Sequence, residues 1–446
     1  MLHRMPLSSL TKGRQGLVGA GWLGGLLLLG LGAGCSETPP DQSIAQPLSY
    51  RHDAQPLLER YCNSCHTAGG IGPFALQDYA SVQRYAPLIK SAVESNRMPP
   101  WMPSDASLPL NYSRKMRPED KDALLRWLAE GMAEGDPSVT ARTDIPAAET
   151  VAPPRADLTL DFGQDYTPVA QRSDDYHCFV FDPKLTADTY MVAGTVVPGN
   201  RSIVHHALLF EIPETDAAAI QAKNVNNQGY TCYGGPGTPG RPVTLLGWVP
   251  GGVPMRTPAG TALRLHKGSL LVMQLHYNTT VVKDGKDRTQ AQIELTTTPP
   301  QHELYVMPLA QPKGLKLAAG DASARQDVSF PLSLITGLFG LPIGDYKMYS
   351  AAPHMHTLGK RVTVSVSGKL VVELPKWDFH WQQTYGLKDP LVLKSSDLMQ
   401  LTCEYDNSAA NQPVIDGVQQ PPKDVAWGEG TADEMCLNYF AISPLN

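Results

Sequence analysis

The sequence predicts a multidomain protein in which a small all-α domain is followed by two all-β sandwich domains. Between residues 50 and 134, segments such as 81–94 and 118–132 place apolar side chains at three- and four-residue spacing, which is typical of helices. Beyond residue 157, short runs rich in Val, Leu, Phe and Tyr alternate with Gly, Pro, Asn and Asp turns. About 290 residues of this pattern suffice for two sandwiches.

The composition is that of packed globular domains. Among 446 residues, 42% are hydrophobic and 18% are charged, which excludes disorder for most of the length. The 37 basic and 43 acidic residues give a net charge of −6, so no basic face for a nucleic-acid backbone is indicated. The 39 Gly and 39 Pro favour many short strands over long helices.

The N-terminus predicts export. Basic residues within the first 14 positions precede an apolar run at 17–31 and the small residues that lead to Cys35, which is the order of a secretory signal. Ending in cysteine, the segment resembles a bacterial lipoprotein signal, although Gly32 stands where Leu is usual. We therefore expect an exported protein, periplasmic or anchored to the outer membrane by lipid on Cys35. The alternatives are ordinary cleavage near Cys35 and an uncleaved anchor.

Composition shifts divide the chain into six segments. These are a signal peptide at 1–35, a polar linker at 36–47, the helical domain at 48–138, an Ala/Pro-rich linker at 139–157, and β-sandwiches at 158–300 and 301–446.

Seven cysteines leave an odd number, which calls for an explanation in an exported protein. Cys35 accounts for one, and Cys62 and Cys65 belong to the motif described next. The remaining even set fits two disulfides and consists of Cys178, Cys232, Cys403 and Cys436.

Cys62-Asn-Ser-Cys65-His66 is the C-x-x-C-H pattern for covalent attachment of c-type haem. Two thiols at this spacing meet two vinyl groups, and the imidazole of His66 follows as an axial ligand. Zinc and a redox dithiol are the alternatives, but a zinc site needs more Cys or His ligands nearby. The motif favours haem and makes the helical domain a predicted cytochrome c domain.

The second axial ligand is sought in the segment 97–103, which resembles the axial-methionine stretch of small bacterial cytochrome c domains. Met98 and Met102 are the candidates, and a thioether ligand raises the haem potential. We choose Met98, because the prolines after it fix the loop that presents its sulfur. The alternative is that either methionine only packs against the porphyrin.

His205 and His206 stand side by side in a strand-like run, and His276 ends the apolar strand at 270–277. Adjacent strand residues point to opposite faces, so both could reach one ion only at a strand end or a bulge. Three neutral imidazoles without thiolate would suit copper or zinc. Alternatively, these are ordinary packed and exposed histidines.

His354 and His356 are two residues apart, so in a strand they share a face. Met435 offers a thioether further on, and a set of two imidazoles and a thioether selects copper that cycles through Cu(I). From these residues alone, it is equally plausible that His354 and His356 face solvent and that Met435 is a core side chain.

Together, these motifs resemble the copper type II, ascorbate-dependent monooxygenases, the family of peptidylglycine α-hydroxylating monooxygenase and dopamine β-monooxygenase. The resemblance runs from about residue 157 to the C-terminus. It implies two jelly-roll-like sandwich domains with one copper each. It assigns His205, His206 and His276 to an electron-supplying copper, and His354, His356 and Met435 to the copper that binds dioxygen. The matching blocks are His205-His206-Ala-Leu-Leu-Phe, Gln274-Leu-His276-Tyr277, Pro353-His354-Met-His356-Thr-Leu-Gly359 and Asp433-Glu-Met435-Cys436.

The resemblance also implies disulfides pairing Cys178 with Cys232 and Cys403 with Cys436. Tyr439 matches a substrate-pocket tyrosine of the family. The peptide hydroxylases carry a substrate-binding Arg where this sequence has Ala352, so a peptide C-terminus is a poor substrate.

The expected protein is therefore a dicopper monooxygenase that hydroxylates a C–H bond of a small organic substrate with O2. A covalent haem, reduced by an external donor, would supply its electrons. The alternatives are a non-catalytic copper and haem electron carrier or copper-binding surface protein, and a structural β protein. No nucleic-acid partner is expected. Contact with a membrane is expected only through the lipid on Cys35. The other histidines singled out are expected to be structural or at the surface; they are His177, His266, His302 and His380.

Overall fold

The computed structural model describes residues 47–169, 174–238, 240, 242–279, 285–415 and 418–445. Its α-helices are α1 (Gln55–Tyr61), α2 (Tyr79–Glu94), α3 (Pro118–Ala129), α4 (Glu214–Lys223) and α5 (Leu332–Leu338). The first ten strands are β1 (Leu158–Asp161), β2 (Asp174–Phe181), β3 (Thr189–Val197), β4 (Val204–Ile212), β5 (Tyr230–Thr231), β6 (Val243–Trp248), β7 (Met255–Arg256), β8 (Thr261–Leu265), β9 (Leu270–Asn278) and β10 (Gln290–Thr296).

The strands that follow are β11 (His302–Glu303), β12 (Tyr305–Ala310), β13 (Lys316–Leu317), β14 (Arg325–Pro331), β15 (Tyr346–His354), β16 (Gly359–Val366), β17 (Lys369–Leu374), β18 (Tyr385–Leu393), β19 (Leu398–Tyr405), β20 (Val414–Ile415), β21 (Val418–Gln419), β22 (Val425–Ala426) and β23 (Leu437–Pro444). Short turns of other helix types lie at Tyr50–Ala54, Val225–Asn227, Phe379–Trp381 and Ala409–Asn411.

Four sheets carry most of the described chain. A five-stranded sheet has the order β5-β2-β9-β4-β6, and a second sheet has the order β1-β10-β3-β8-β11 with β7 also paired to β3. Two four-stranded sheets have the orders β12-β23-β15-β18 and β14-β19-β16-β17. Among the described residues, the strand pairings in these sheets are antiparallel except that of β8 with β11. The crossing order brings strands that are distant in sequence side by side.

Burial explains why β9 is central. Eight of its nine residues are buried, as expected for a strand covered on both faces, and β2 and β4 flank it. Its Met273 and Leu275 belong to one hydrophobic cluster with Met191 and Ile293 of the neighbouring sheet. A second cluster joins the two four-stranded sheets.

The helical segment has its own small hydrophobic cluster, in which Leu57, Val82 and Trp127 are buried. Helix α2 begins with a capping box between Asp78 and Ser81, and α3 begins with proline in its first turn, as the sequence predicts. However, these helices have only 7, 16 and 12 residues within the expected domain. Most of residues 48–138 is therefore turn and loop.

The loop that follows α2 joins the β sheets directly. The backbone amides of Ser104 and Leu108 donate to the carbonyl oxygens of Glu373 and Val371 at 2.8 and 2.9 Å. Leu110 is buried in the hydrophobic cluster of the four-stranded sheets. The segment is thus built onto strand β17 and is not separate from the β part.

The fold class predicted from the sequence is wrong. Residues 48–446 form one compact unit that is mostly β with few helices, and no all-α cytochrome domain is set apart from it. The division of the β part at residue 300 stays a prediction: the five- and six-stranded sheets share one hydrophobic cluster and the two four-stranded sheets share another. Val306, Tyr349 and Ala441 of a four-stranded sheet pack against the hydrophobic cluster of the five- and six-stranded sheets. Local sequence patterns predicted the elements but not this docking.

Two disulfides connect the strands, Cys178 to Cys232 and Cys403 to Cys436, as the resemblance implied. Cys62 and Cys65 are free thiols. Within the described ranges, no helix is long and apolar enough to cross a membrane.

Candidate metal centres

Three imidazoles meet where β4 and β9 pair, forming the His3 cluster of His205, His206 and His276. His206 lies opposite His276, while Val204 lies opposite the adjacent Tyr277, so the register shifts at His205. This irregularity is what allows two neighbouring histidines to turn to one side. The Nδ1 atoms of the three residues are 3.2 to 3.4 Å apart.

The spacing of these nitrogens fits one metal ion. A circle through the three Nδ1 atoms has a radius of about 1.9 Å, as their separations of 3.4, 3.2 and 3.4 Å require. Imidazole nitrogen binds zinc at roughly 2.0 to 2.1 Å, and imidazole suits copper equally. The donor set is therefore compatible with either ion.

A hydrogen bond to Asp174 determines the tautomer of His276, that is, which ring nitrogen is left with a free lone pair. Its Nε2 lies 2.8 Å from Oδ1 of Asp174, and a carboxylate only accepts, so Nε2 is the donor and Nδ1 faces the cluster unprotonated. Such a carboxylate contact is usual for a metal-binding histidine. The hydroxyl of Thr431 donates to the same Oδ1 at 2.7 Å, and Tyr176 stacks on His276 at 4.1 Å.

Burial keeps the imidazoles of His205 and His206 neutral. Desolvation lowers the pKa of His205 to about 3 and that of His206 well below its usual value, and the neighbouring histidines add to both shifts. A neutral imidazole offers the lone pair that a metal ion requires.

The second candidate site contains His354 and His356, whose rings are in contact, and with Met435, which is tied to His356 through the backbone, they are called the His2Met cluster. His354 ends β15, and the rings of His354 and His356 are 5.0 Å apart. The expectation that both histidines share the face of one strand is wrong, because His356 lies in the turn after β15. Desolvation lowers the pKa of His354 to about 3 and that of His356 to about 4.

Hydrogen bonds define the tautomers at this site too. His356 Nδ1 lies 3.1 Å from the carbonyl oxygen of Asp433, so Nδ1 is the donor. The side chain of Gln382 donates from Nε2 to the carbonyl of Phe379, which directs its Oε1 to Nδ1 of His354 at 2.6 Å. Both histidines therefore keep Nε2 for a ligand, unlike those of the His3 cluster.

Buried Glu434 holds the histidine turn and Met435 together. Its carboxylate accepts the backbone amides of His356, Leu358 and Met435 at 2.8, 2.6 and 3.2 Å. Tyr405 donates to the carbonyl of Met435 at 2.7 Å, and Met435 is buried next to the Cys403–Cys436 disulfide. The thioether is thus held on a backbone tied to His356.

Residues 377–382, here called the bridging turn, contact both clusters. The Phe379 ring stacks on His205 with centroids 4.9 Å apart and meets His356 edge-on at 5.8 Å. Trp377 Nε1 donates to the carbonyl of His356 at 2.9 Å. The roles of this turn, Asp174 and Glu434 could not be predicted from the sequence, because they come from contacts across the fold.

The C-x-x-C-H motif follows α1. His66 Nδ1 lies 3.0 Å from the carbonyl oxygen of Phe74, so Nδ1 donates and Nε2 keeps a lone pair. Burial and the nearby Cys65 raise the pKa of the Cys62 thiol to about 12. A thiol that stays protonated at neutral pH is a poor redox nucleophile.

Unsatisfied polar atoms surround this motif. Arg60 Nε, Asn63 Oδ1 and Arg114 Nη1 are buried without a hydrogen-bond partner among the residues described. Arg114 donates through its other terminal nitrogen to the carbonyl of Gly251. Two guanidinium groups with an unpaired nitrogen fit a missing anionic group beside the thiols, such as the carboxylates of haem.

Of the two candidate axial ligands, Met102 has a partner elsewhere. Its sulfur accepts the amide of Asp378 in the bridging turn at 3.2 Å, and its side chain packs on the cluster of the four-stranded sheets. Met98 follows α2, and its amide donates to the carbonyl of Ala92 at 3.0 Å. Met98 therefore remains the predicted ligand.

Tyr439 and Ala352 lie directly opposite each other on β23 and β15. Burial raises the pKa of Tyr439 to about 12, so its hydroxyl is protonated at neutral pH. Nearby, burial and Asp433 raise the pKa of Glu429 to about 7. The methyl side chain of Ala352 cannot form an ion pair with the carboxylate of a substrate.

Of the four other histidines singled out in the sequence, three have protein partners. These pairs are His177 with Tyr166 and the carbonyl of Gln228, His266 with Glu211, and His380 with Asp378; His302 lies in the short strand β11. Cys35 and the signal segment lie outside the described residues.

In this mostly β chain, His205, His206 and His276 are spaced so that they could hold one metal ion. Residues 339–442 match the family model described as the C-terminal domain of copper type II ascorbate-dependent monooxygenases. The matched range contains His354, His356 and Met435. For this part of the chain the match supports a copper-dependent oxidoreductase that uses O2 and a small-molecule substrate. It gives no support to a cytochrome domain or a haem at the N-terminal end.

No curated protein matches the chain. Solved structures that it is similar to include PNGF-II, with 10% identity, 64% of this chain and 65% of that chain covered, and a TM-score of 0.26. Others are the VP2 subviral particle of infectious bursal disease virus (10% identity, 67% and 75%, TM-score 0.16) and latent PorU from Porphyromonas gingivalis (12%, 62% and 25%, TM-score 0.15). TM-scores this low carry no conclusion about fold or function.

Proposed function

We propose that this protein is a dicopper monooxygenase that hydroxylates a C–H bond of a small organic substrate with O2. One copper would be held by the His3 cluster and one by the His2Met cluster. The observation that carries the proposal is the pairing of two neutral imidazole sites, one of which lies in the family-matched range beside a buried thioether.

Copper, when bound, would supply one-electron redox chemistry at both clusters and dioxygen activation at the His2Met cluster. The protein's part is to present lone pairs. Asp174 orients His276, Gln382 orients His354, and Glu434 holds the backbones of His356 and Met435. Tyr439 keeps a neutral hydroxyl opposite the small Ala352, which suits an uncharged portion of a substrate.

Hydroxylation of a C–H bond with O2 consumes two electrons, which must come from a donor other than the organic substrate. We propose that a c-type haem, covalently attached at Cys62 and Cys65 with His66 and Met98 as axial ligands, delivers them one at a time from an external donor. The free Nε2 of His66 and the unpaired guanidinium nitrogens of Arg60 and Arg114 support this assignment. This haem would belong to the single compact unit and needs no separate domain.

The proposed location is outside the cytoplasm. The N-terminal segment supports export and lipidation of Cys35, which would place the enzyme in the periplasm or on the outer membrane of a bacterium. Covalent haem attachment and two disulfides are consistent with an oxidising compartment.

The test combines metal analysis with turnover. Purified full-length protein should hold two copper ions and one haem per chain, and should couple O2 uptake to formation of a hydroxylated product in a substrate screen. Met435→Leu should abolish coupled O2 uptake, whereas Met399→Leu, a matched change of a methionine buried in β19, should retain it. Full metal content without any coupled turnover would favour the alternative, a copper and haem electron carrier.

A further inference from the structure

We infer that the bridging turn, residues 377–382, is the connection through which electrons pass from the C-x-x-C-H motif to both copper clusters. The inference rests on the proposed function, because it assumes haem at Cys62 and Cys65 and copper at the histidines. It adds a role for Phe379 and Trp381, neither of which binds a metal.

At one end the turn touches a proposed ligand of each copper. Phe379 is buried, with its ring stacked on His205 at 4.9 Å and an interplanar angle of 23°, and in edge contact with His356 at 5.8 Å. One aromatic ring therefore lies in van der Waals range of both clusters, and its burial keeps the contact dry.

At its other end the turn reaches the proposed haem-attachment motif. Cys65 Sγ and Trp381 Cζ3 lie 3.7 and 3.8 Å from the point that a Cβ atom of residue 251 would occupy. The two atoms are therefore at most 7.5 Å apart. A c-type haem attached through Cys65 would be joined at the edge of its ring system, so Trp381 would lie within 7.5 Å of that attachment point.

Further contacts hold this arrangement in place. Met102, from the same helical segment as the motif, accepts the amide of Asp378 through its sulfur at 3.2 Å. Arg114 donates to the carbonyl of Gly251. Cys65 and Trp381 both lie beside this glycine. Trp377 and Gln382 bind His356 and His354 from the two ends of the turn. Both clusters thus contact the bridging turn directly, and the segment that carries the motif is bonded to it through Met102.

The electron balance of each transfer is simple. One electron leaves ferrous haem iron, which becomes ferric, and reduces one cupric ion to cuprous. No covalent bond changes, and no proton has to move with the electron at Phe379 or Trp381. The external donor then reduces the haem again before the second transfer.

The experiment uses the full-length protein loaded with haem and copper. A photoreductant reduces the haem in a laser flash under anaerobic conditions, and haem reoxidation is followed by absorbance. Protein loaded with zinc instead of copper is the baseline, because zinc accepts no electron. Haem content and the Cu(II) EPR signal of every variant are measured first, so that only intact sites are compared.

Phe379→Leu and Trp381→Leu should slow the copper-dependent reoxidation by about tenfold or more, equivalent to ~1.4 kcal/mol in the activation free energy. Phe379→Tyr keeps the ring and should keep the rate. The matched control is Phe162→Leu, which removes a ring stacked on Phe179 away from both clusters and should leave the rate unchanged.

The outcomes separate the two proposals. Unchanged rates in Phe379→Leu and Trp381→Leu with intact haem and copper signals would overturn the role of the bridging turn alone. Wild-type protein that reoxidises equally fast with zinc and copper would overturn it too. A chain that carries no covalent haem would refute the haem-fed function itself, and with it this connection.

Discussion

At the scale of single residues, the two clusters differ in which imidazole nitrogen they present. His276 turns Nδ1 to its cluster because Asp174 holds Nε2, whereas His356 turns Nε2 outward because the carbonyl of Asp433 holds Nδ1. The partners that fix these tautomers come from distant parts of the chain. The role of a hydrogen-bond partner such as Asp174 can therefore be tested by substitution, as the role of a proposed ligand can.

Asp174→Asn should weaken Cu(I) binding at the His3 cluster by roughly 10- to 100-fold, the usual cost of losing an outer-sphere partner. The change removes the charge that supports the Nε2–H of His276. Competition with a Cu(I) chelator measures the affinity of each site. Asp165→Asn, at an exposed position, is the matched control. Equal affinity in both variants would contradict the role given to Asp174.

At the scale of elements, irregularities rather than regular strands build the sites. The register shift in β4 turns His205 beside His206, and the turn after β15 presents His356. The disulfide between Cys403 and Cys436 joins β19 to the segment that carries Met435. A second disulfide, Cys178–Cys232, serves as its natural comparison.

Replacing either disulfide by two alanines should lower the free energy of unfolding by about 4 kcal/mol, since loops of 54 and 33 residues differ little in closure entropy. Only Cys403→Ala with Cys436→Ala should also weaken copper at the His2Met cluster, because it frees the backbone of Met435. Denaturant unfolding and copper titration measure the two effects. If both double variants weakened that copper equally, the positioning role of the Cys403–Cys436 disulfide would be wrong.

At the scale of the whole molecule, histidines kept neutral by burial make the metal-free protein sensitive to acid. The unfolded chain takes up protons near pH 6.5, but His354 and His356 do so in the folded chain only near pH 3 and 4. The free energy of unfolding should therefore fall as the pH drops from about 6.5 to about 4.5, by up to ~1.4 kcal/mol per pH unit for each histidine.

Urea unfolding of copper-free protein across this range measures the slope. The double variant His354→Gln with His356→Gln should show a shallower slope than the wild-type protein. A free energy of unfolding that is constant or rises towards acid pH would contradict the burial of neutral imidazoles.

The sequence predicted the metal-binding residue types better than the fold. Short motifs marked the histidines of both clusters, and the family resemblance implied how the cysteines pair in both disulfides. The separate helical domain was a wrong prediction, since the contact of Ser104 and Leu108 with β17 joins residues more than 260 positions apart and leaves no periodic pattern. Asp174 and Phe379 were missed for the same reason: their roles come from contacts across the fold.

The most direct test of the dicopper proposal is X-ray absorption at the copper edge of the fully loaded, reduced protein. The account predicts two coppers per chain, all-nitrogen ligation at one and a sulfur ligand at the other, with the sulfur signal lost in Met435→Leu and kept in Met399→Leu. A single copper per chain, or a sulfur signal that survives Met435→Leu, would contradict it.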